Sequence, residues 1–149
     1  MTSSDHARVL VVANRTAATP ALLDAVRTRA AAGSASFTLL VPNAAHGLHR
    51  VVDPEDTDVS EAQASLDLAI PLLEEVAGGP VEGLVGSSNP FNAIQDAVNV
   101  HGFDEIIIST LSPRVSRWLR MDLPRRITVL GLPITTVTAK GQVEVVPAG

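Results

Sequence analysis

The chain predicts a single-domain, three-layer α/β/α fold: a parallel sheet covered by helices. Three observations carry this. Short runs of Val, Ile and Leu alternate along the chain with segments of helical period. The runs at 9–13 and 106–108 are apolar without alternation, as strands buried on both faces are. At 149 residues and 46% hydrophobic, one domain has enough apolar surface for a full core. With no cysteine, that core has no disulfide to lean on.

The elements follow in order. Residues 8–13 read as the first strand. Thr19 and Pro20 supply an N-cap and a first-turn proline, Leu22, Leu23, Val26 and Ala30 recur at helical spacing, and Gly33 is the stop. Residues 37–41 make the second strand. The segment 42–58, with two histidines and four acidic residues, reads as a mobile loop. Ser60 and Gln63 form a capping-box pattern opening a second helix, with the stripe Leu66, Ala69, Ile70, Leu73, Val76. Pro71 is expected to bend that helix, and Gly78-Gly79 to end it.

Residues 81–85 form the third strand. Asn89-Pro90 repeats the cap-plus-proline start, with Phe91, Ile94, Ala97 and Val98 on the buried face and Gly102 as the stop. The fourth strand is 105–109 and the fifth 133–137. The tail 142–146 has the pattern of a short added strand after a Lys140-Gly141 turn.

Charge and motifs exclude several function classes. A formal charge of −5 argues against general nucleic-acid binding, which needs a basic surface. No apolar run approaches the ~18 residues that span a bilayer. Residues 1–8 lack a basic start followed by an apolar stretch, so a cytoplasmic location is expected. His46 and His49, near Asp53 and Asp56, lack the regular spacing of metal ligands, and no metal is assigned. No Ser-His-Asp set, carboxylate pair or Gly-x-Ser-x-Gly elbow is present, which favours a non-enzyme.

Arg114, Arg117, Arg120, Arg125 and Arg126 make up five of the 11 basic residues. After a Ser112-Pro113 helix start, the first three recur at helical spacing, opposite Val115, Trp118 and Leu119. They read either as a basic lid or patch for an anionic ligand or acidic partner, or as a solvated face paired with carboxylates. Trp118 reads equally as an interface anchor or as a seal on the core beneath.

Several stretches carry a resemblance. They are Val81-Glu82-Gly83-Leu84-Val85-Gly86, Asn89-Pro90-Phe91-Asn92-Ala93-Ile94, Gly102-Phe103-Asp104-Glu105-Ile106-Ile107-Ile108 and Gly131-Leu132-Pro133-Ile134-Thr135-Thr136-Val137. In this order, and over nearly the whole chain, the sequence resembles the universal stress protein family. The resemblance implies a five-stranded parallel sheet in the order 3-2-1-4-5, of the Rossmann-like, adenine-nucleotide-hydrolase-like kind. It also implies a homodimer through the last strand. In that order the topological switch falls between strands one and four, and ligands bind outside their carboxyl ends.

The candidate crevice residues are therefore Asn14, Arg15 and Thr16 after strand one, Val41 at the end of strand two, and Ser109, Thr110 and Ser112 after strand four. Arg114, Arg117 and Asp122 complete the set. The family's nucleotide-binding members carry Gly-x-x-Gly, nine residues, then Gly-Ser or Gly-Thr, so that backbone amides approach phosphates. This sequence has Ser109 and Ser112 at the first two glycine positions and Asp122-Leu123 at the last pair; the family's Asp after strand one is Asn14. Asp122, before Leu123-Pro124, is expected to cap the next helix with its carboxylate. At ~5 Å and an effective dielectric of ~20, it would repel a phosphate by roughly 3 kcal/mol per unit charge, about two decades of affinity.

Three functional expectations follow. The first is a non-enzymatic, universal-stress-protein-like ligand-binding or signalling module with a degenerate ATP site. Its ligand is unknown, and it would act by ordering the loop 42–58 and the arginine segment. The second is ATP binding with Mg and slow or no hydrolysis, the arginines replacing the glycine cradle. The third is an interaction protein docking a partner through Trp118 and the arginines.

Overall fold

The computed structural model describes residues 6–13, 16–42, 54–87, 89–111, 116–120 and 122–147, apart from the side chains of 54–61, 117 and 120. The chain runs β1 (Ala7–Val12), α1 (Pro20–Ala32), β2 (Ala35–Pro42), α2 (Pro54–Ala77), β3 (Val81–Gly86), α3 (Pro90–His101) and β4 (Glu105–Thr110). Two four-residue helical turns follow, α4 (Arg117–Arg120) and α5 (Leu123–Arg126), then a 3-10 turn (Ile127–Leu130), β5 (Ile134–Thr138) and β6 (Val143–Val146).

The sheet order is β3-β2-β1-β4-β5-β6. The first five strands pair in parallel, in the expected order. The expected five-stranded sheet is corrected to six, because the tail returns as β6, antiparallel to β5. The hairpin is closed by Gly141 at φ +94°, whose N–H donates to the Thr138 carbonyl at 2.8 Å, while the Gln142 N–H donates to Thr138 Oγ1 at 3.1 Å. The Thr- and Val-rich β5 would otherwise end the sheet as a bare edge; its own chain covers it.

Helix starts follow local chemistry, with two corrections. At α3, Asn89 caps as expected, its Oδ1 accepting the Asn92 N–H at 3.1 Å, and Gly102 at φ +75° ends the helix. At α1, Thr19 holds the N-cap position but its hydroxyl donates backwards to the Thr16 carbonyl at 3.0 Å rather than capping. The second helix begins at Pro54, so Ser60 lies inside it rather than capping it, and the expected loop 42–58 shrinks from both ends, with Pro42 in β2. A proline is at ease in a first turn, which explains the earlier start. Residues 43–53, with His46, His49 and Asp53, lie outside the described residues, as does the Asp56 side chain. Helix α2 continues through Pro71, which sits on its exposed side.

Strand residues alternate between two cores. Val9, Val11, Leu39, Val41, Ile107 and Val137 pack with Leu22 and Val26 of α1 and Leu66, Ala69 and Leu73 of α2. On the other face, Leu10, Val12, Leu40, Ile106, Ile108 and Ile134 pack with Ala93, Ile94 and Ala97 of α3 and with Trp118, Leu123 and Ile127. Thr136 carries an unpartnered buried hydroxyl, a burden of about 1–3 kcal/mol.

No helix among the described residues is long and apolar enough to cross a membrane.

Candidate functional site at the β1–β4 switch point

Strands β1 and β4 are neighbours at the middle of the sheet, with Val12 beside Ile108 in register. The chain leaves β1 towards β2 on one side and leaves β4 towards β5 on the other. Their carboxyl ends therefore define the switch point at which open α/β sheets leave a crevice.

The structure brings two of the candidate residues together there. Ser109 Oγ donates to Thr16 Oγ1 at 2.7 Å, and the Thr16 carbonyl lies 3.4 Å from the same hydroxyl. Both residues are 1% exposed, so their hydroxyls face each other rather than solvent. Thr16 opens the turn into α1: its carbonyl also accepts the Thr19 N–H at 3.2 Å. The sequence places Ser109 and Thr110 in one crevice with Asn14 and Ser112, but the two neighbours face apart. Ser109 is in register with Val137 of the α1/α2 face, so Thr110 points to the opposite face beside Thr138. The Thr110 hydroxyl is buried and donates to the Leu111 carbonyl at 2.9 Å.

The remaining candidates separate. Val41 is a core residue of the α1/α2 face, not a crevice wall. Asn14, Arg15, Ser112 and Arg114 lie outside the described residues, and Arg117 is placed only as backbone in α4. Asp122 does not cap α5: it sits in the left-handed region at φ 60°, makes no side-chain cap bond, and turns its carboxylate to Arg125 at 3.6 Å. An aspartate tolerates that conformation better than most residues, and it fits the tight step from α4 to α5. An exposed Asp122 carboxylate beside Arg125 repels a phosphate by less than the roughly 3 kcal/mol expected of one fixed as a cap.

The helix expected from Ser112-Pro113 is described only from Arg117. One N–H of that turn is served by Ser116, whose Oγ accepts from the Leu119 N–H at 3.1 Å. Trp118 takes the core alternative: it is buried in the α3-side cluster and offers no surface anchor. Two of the arginines stand on that surface. Arg126 lies over the Phe91 ring at 5.3 Å from its centroid, and both it and Arg125 are exposed.

Sequence reasoning missed one electrostatic contact at the amino end of β4, the end away from the crevice. Arg29, in the last turn of α1, grips Glu105 at the start of β4 with Nε to Oε1 at 2.8 Å and Nη2 to Oε2 at 2.9 Å. The side chains are 22% and 25% exposed. The bond to Glu105 raises the guanidinium pKa above its ordinary value, outweighing the lowering by burial. A group raised in this way contributes its stability below its unfolded pKa and loses it only as pH rises through the folded one. From the Arg29 side, the pair is therefore constant through the neutral range. The partners are 76 residues apart, and no spacing signal announces them.

The pair floors a groove of about 370 Å³ between α1 and the β4–β5–β6 face, lined also by Ala21, Ala25, Thr135 and Val143. A second groove of about 260 Å³ flanks α3 above β3. Neither groove includes Thr16 or Ser109. No cluster of metal-ligating side chains occurs among the described residues.

No protein-family model matches the chain, and none of the curated proteins does.

Proposed function

We propose that the chain is a non-enzymatic, universal-stress-protein-like module whose switch-point crevice does not hold ATP in that family's usual pose. One observation carries the proposal: where the family's nucleotide-binding members begin their glycine fingerprint, this chain has Ser109, buried and hydrogen-bonded to Thr16. Phosphate cradles of this type use backbone amides that glycines leave open to the ligand, and at the first of those positions this chain has a serine whose hydroxyl is bonded to Thr16. The strand order β3-β2-β1-β4-β5 supports the resemblance behind the proposal.

The proposal predicts that millimolar Mg-ATP leaves the thermal midpoint of the protein unmoved. A ligand at 100 times its Kd would add about 2.7 kcal/mol and move the midpoint by several degrees. Such a shift, abolished by Ser109→Trp, would restore nucleotide binding with slow turnover as the function.

The same reading carries a cytoplasmic homodimer through the last strand. The resemblance puts that interface on the fifth strand, whose edge β6 covers in the same chain, so the pairing would have to run through β6 with its exposed Val143 and Val145. A solution molar mass of one chain at high micromolar concentration would rule the dimer out. Docking of an acidic partner is a weaker reading, because with Trp118 buried it rests on the exposed Arg125 and Arg126.

A further inference from the structure

We propose that the groove beside α1 is a binding site for small organic cations with an apolar tail, such as alkylamines. The site stands apart from the switch-point crevice and does not depend on what that crevice binds.

The groove exists because the two faces of the sheet are covered unequally. The connection from β4 to β5 packs on the α3 side, through Trp118, Leu123 and Ile127. On the other face the described helices are α1 and α2, whose core partners reach as far as Val137 of β5. Strand β6 extends beyond them. Its Val143 pairs with Val137 and its Val145 with Thr135, so both side chains rise on the α1 side, 60% and 62% exposed. The flank of α1 towards β5 carries Ala21, Ala25 and Ala32, too short to fill the gap, and Gly141 and Val143 close its far side. Without the hairpin this ground would be an open shelf. The five-stranded sheet that the resemblance implies lacks β6, so the groove is a feature of this chain's own tail.

Size and lining set the ligand. At about 370 Å³ the groove falls in the range of ligand sites, about 300–1,000 Å³. From Ala21 to Ala32 it follows α1 for roughly 16 Å, enough for an extended alkyl chain between the alanine methyls, Ile107 and Val143. Its charged lining residues, among those described, are Asp24, Arg29 and Glu105. Arg29 and Glu105 cancel, each held by the other through two bonds. That leaves Asp24, whose carboxylate meets the exposed Arg27 at 2.7 Å. A surface pair of that kind contributes little, and a ligand ammonium can take the place of Arg27. The formal charge of −5 on the whole chain acts in the same direction, favouring cations over anions.

Backbone amide NMR shifts of the full chain, titrated with octylamine, octanol and octanoate below their micelle concentrations, test the site. Octylamine is expected to shift Ala25, Ile107 and Val143 saturably, with octanoate about fivefold weaker and octanol between the two. Ala25→Leu and Thr28→Phe place bulk in the groove and should each abolish saturation by octylamine. Thr28 is exposed, so its variant is expected to leave the fold intact. Asp24→Asn should weaken octylamine about twofold and leave octanol unchanged. No saturable shifts in the groove, equal affinity for the three probes, or undiminished binding by Thr28→Phe would each overturn the proposal. So would groove shifts that depend on protein concentration without any probe, which would make a second copy of the chain the occupant. Mg-ATP titration bears on the crevice alone and leaves this result unchanged.

Discussion

Ile108→Ala is expected to lower the unfolding free energy by about 2–5 kcal/mol, read from the midpoint of urea denaturation at unchanged slope. Ile108 is 0% exposed, on the central strand β4, in the cluster shared by Ile94, Trp118 and Leu123. Truncation removes transfer free energy and leaves a cavity that four neighbouring elements limit in collapsing: β1 and β5 on either side in the sheet, α3 and α5 over it. Ser109 is the next residue on the same strand, so the loss should carry to its bond with Thr16 as faster exchange around Thr16. A loss under 1 kcal/mol would mean that this face is not the well-packed core described here.

Gly86→Val is the second large effect, with an expected loss of about 3 kcal/mol. A Cβ at Gly86 would stand 2.7 Å from Ala93 Cβ and 3.0 Å from Leu40 Cδ1. The Ala93 methyl is fixed to the backbone of α3, so β3 and α3 must move apart. Gly83 offers the contrast. A Cβ there meets Ile70 Cδ1 at 2.8 Å and Leu66 Cδ2 at 3.1 Å, the far ends of side chains that can turn aside. Gly83→Ala should therefore cost less than 1 kcal/mol. Equal losses at the two positions, measured by the same denaturation, would refute this difference in packing.

These two glycines explain part of what was legible in the sequence. They belong to the stretch of residues 81–86 on which the family resemblance rests, and their role is close strand–helix packing, which carries over with the fold. The strand pattern was equally readable because it is local: unbroken apolar runs such as 9–13 and 106–108 can only be buried from both sides. Asn89-Pro90 gave the start of α3 for the same reason, since a cap and its first turn are contiguous in sequence.

The misreadings arise where distant contacts decide. Ser60-x-x-Gln63 has the form of a capping box, yet the helix had already begun at Pro54. Thr19 stands at an N-cap, but its hydroxyl finds the Thr16 carbonyl first. Asp122 precedes a proline-opened helix as a cap should, but its backbone is left-handed. At the crevice, sequence named Ser109 and Thr16 separately, while their mutual bond depends on how β1 and β4 pair across 93 residues. Nothing local distinguishes a hydroxyl waiting for a ligand from one already satisfied. The Arg29–Glu105 pair was hidden in the same way.

Calorimetric titration of ligand-free protein with Mg-ATP, carried to millimolar concentration, tests the proposed loss of nucleotide binding most directly. No saturable heat is expected on the proposed reading, because Ser109, bonded to Thr16, stands where the family resemblance implies a glycine. Saturable binding below ~100 μM, about −5.5 kcal/mol, would contradict it and return nucleotide binding to first place.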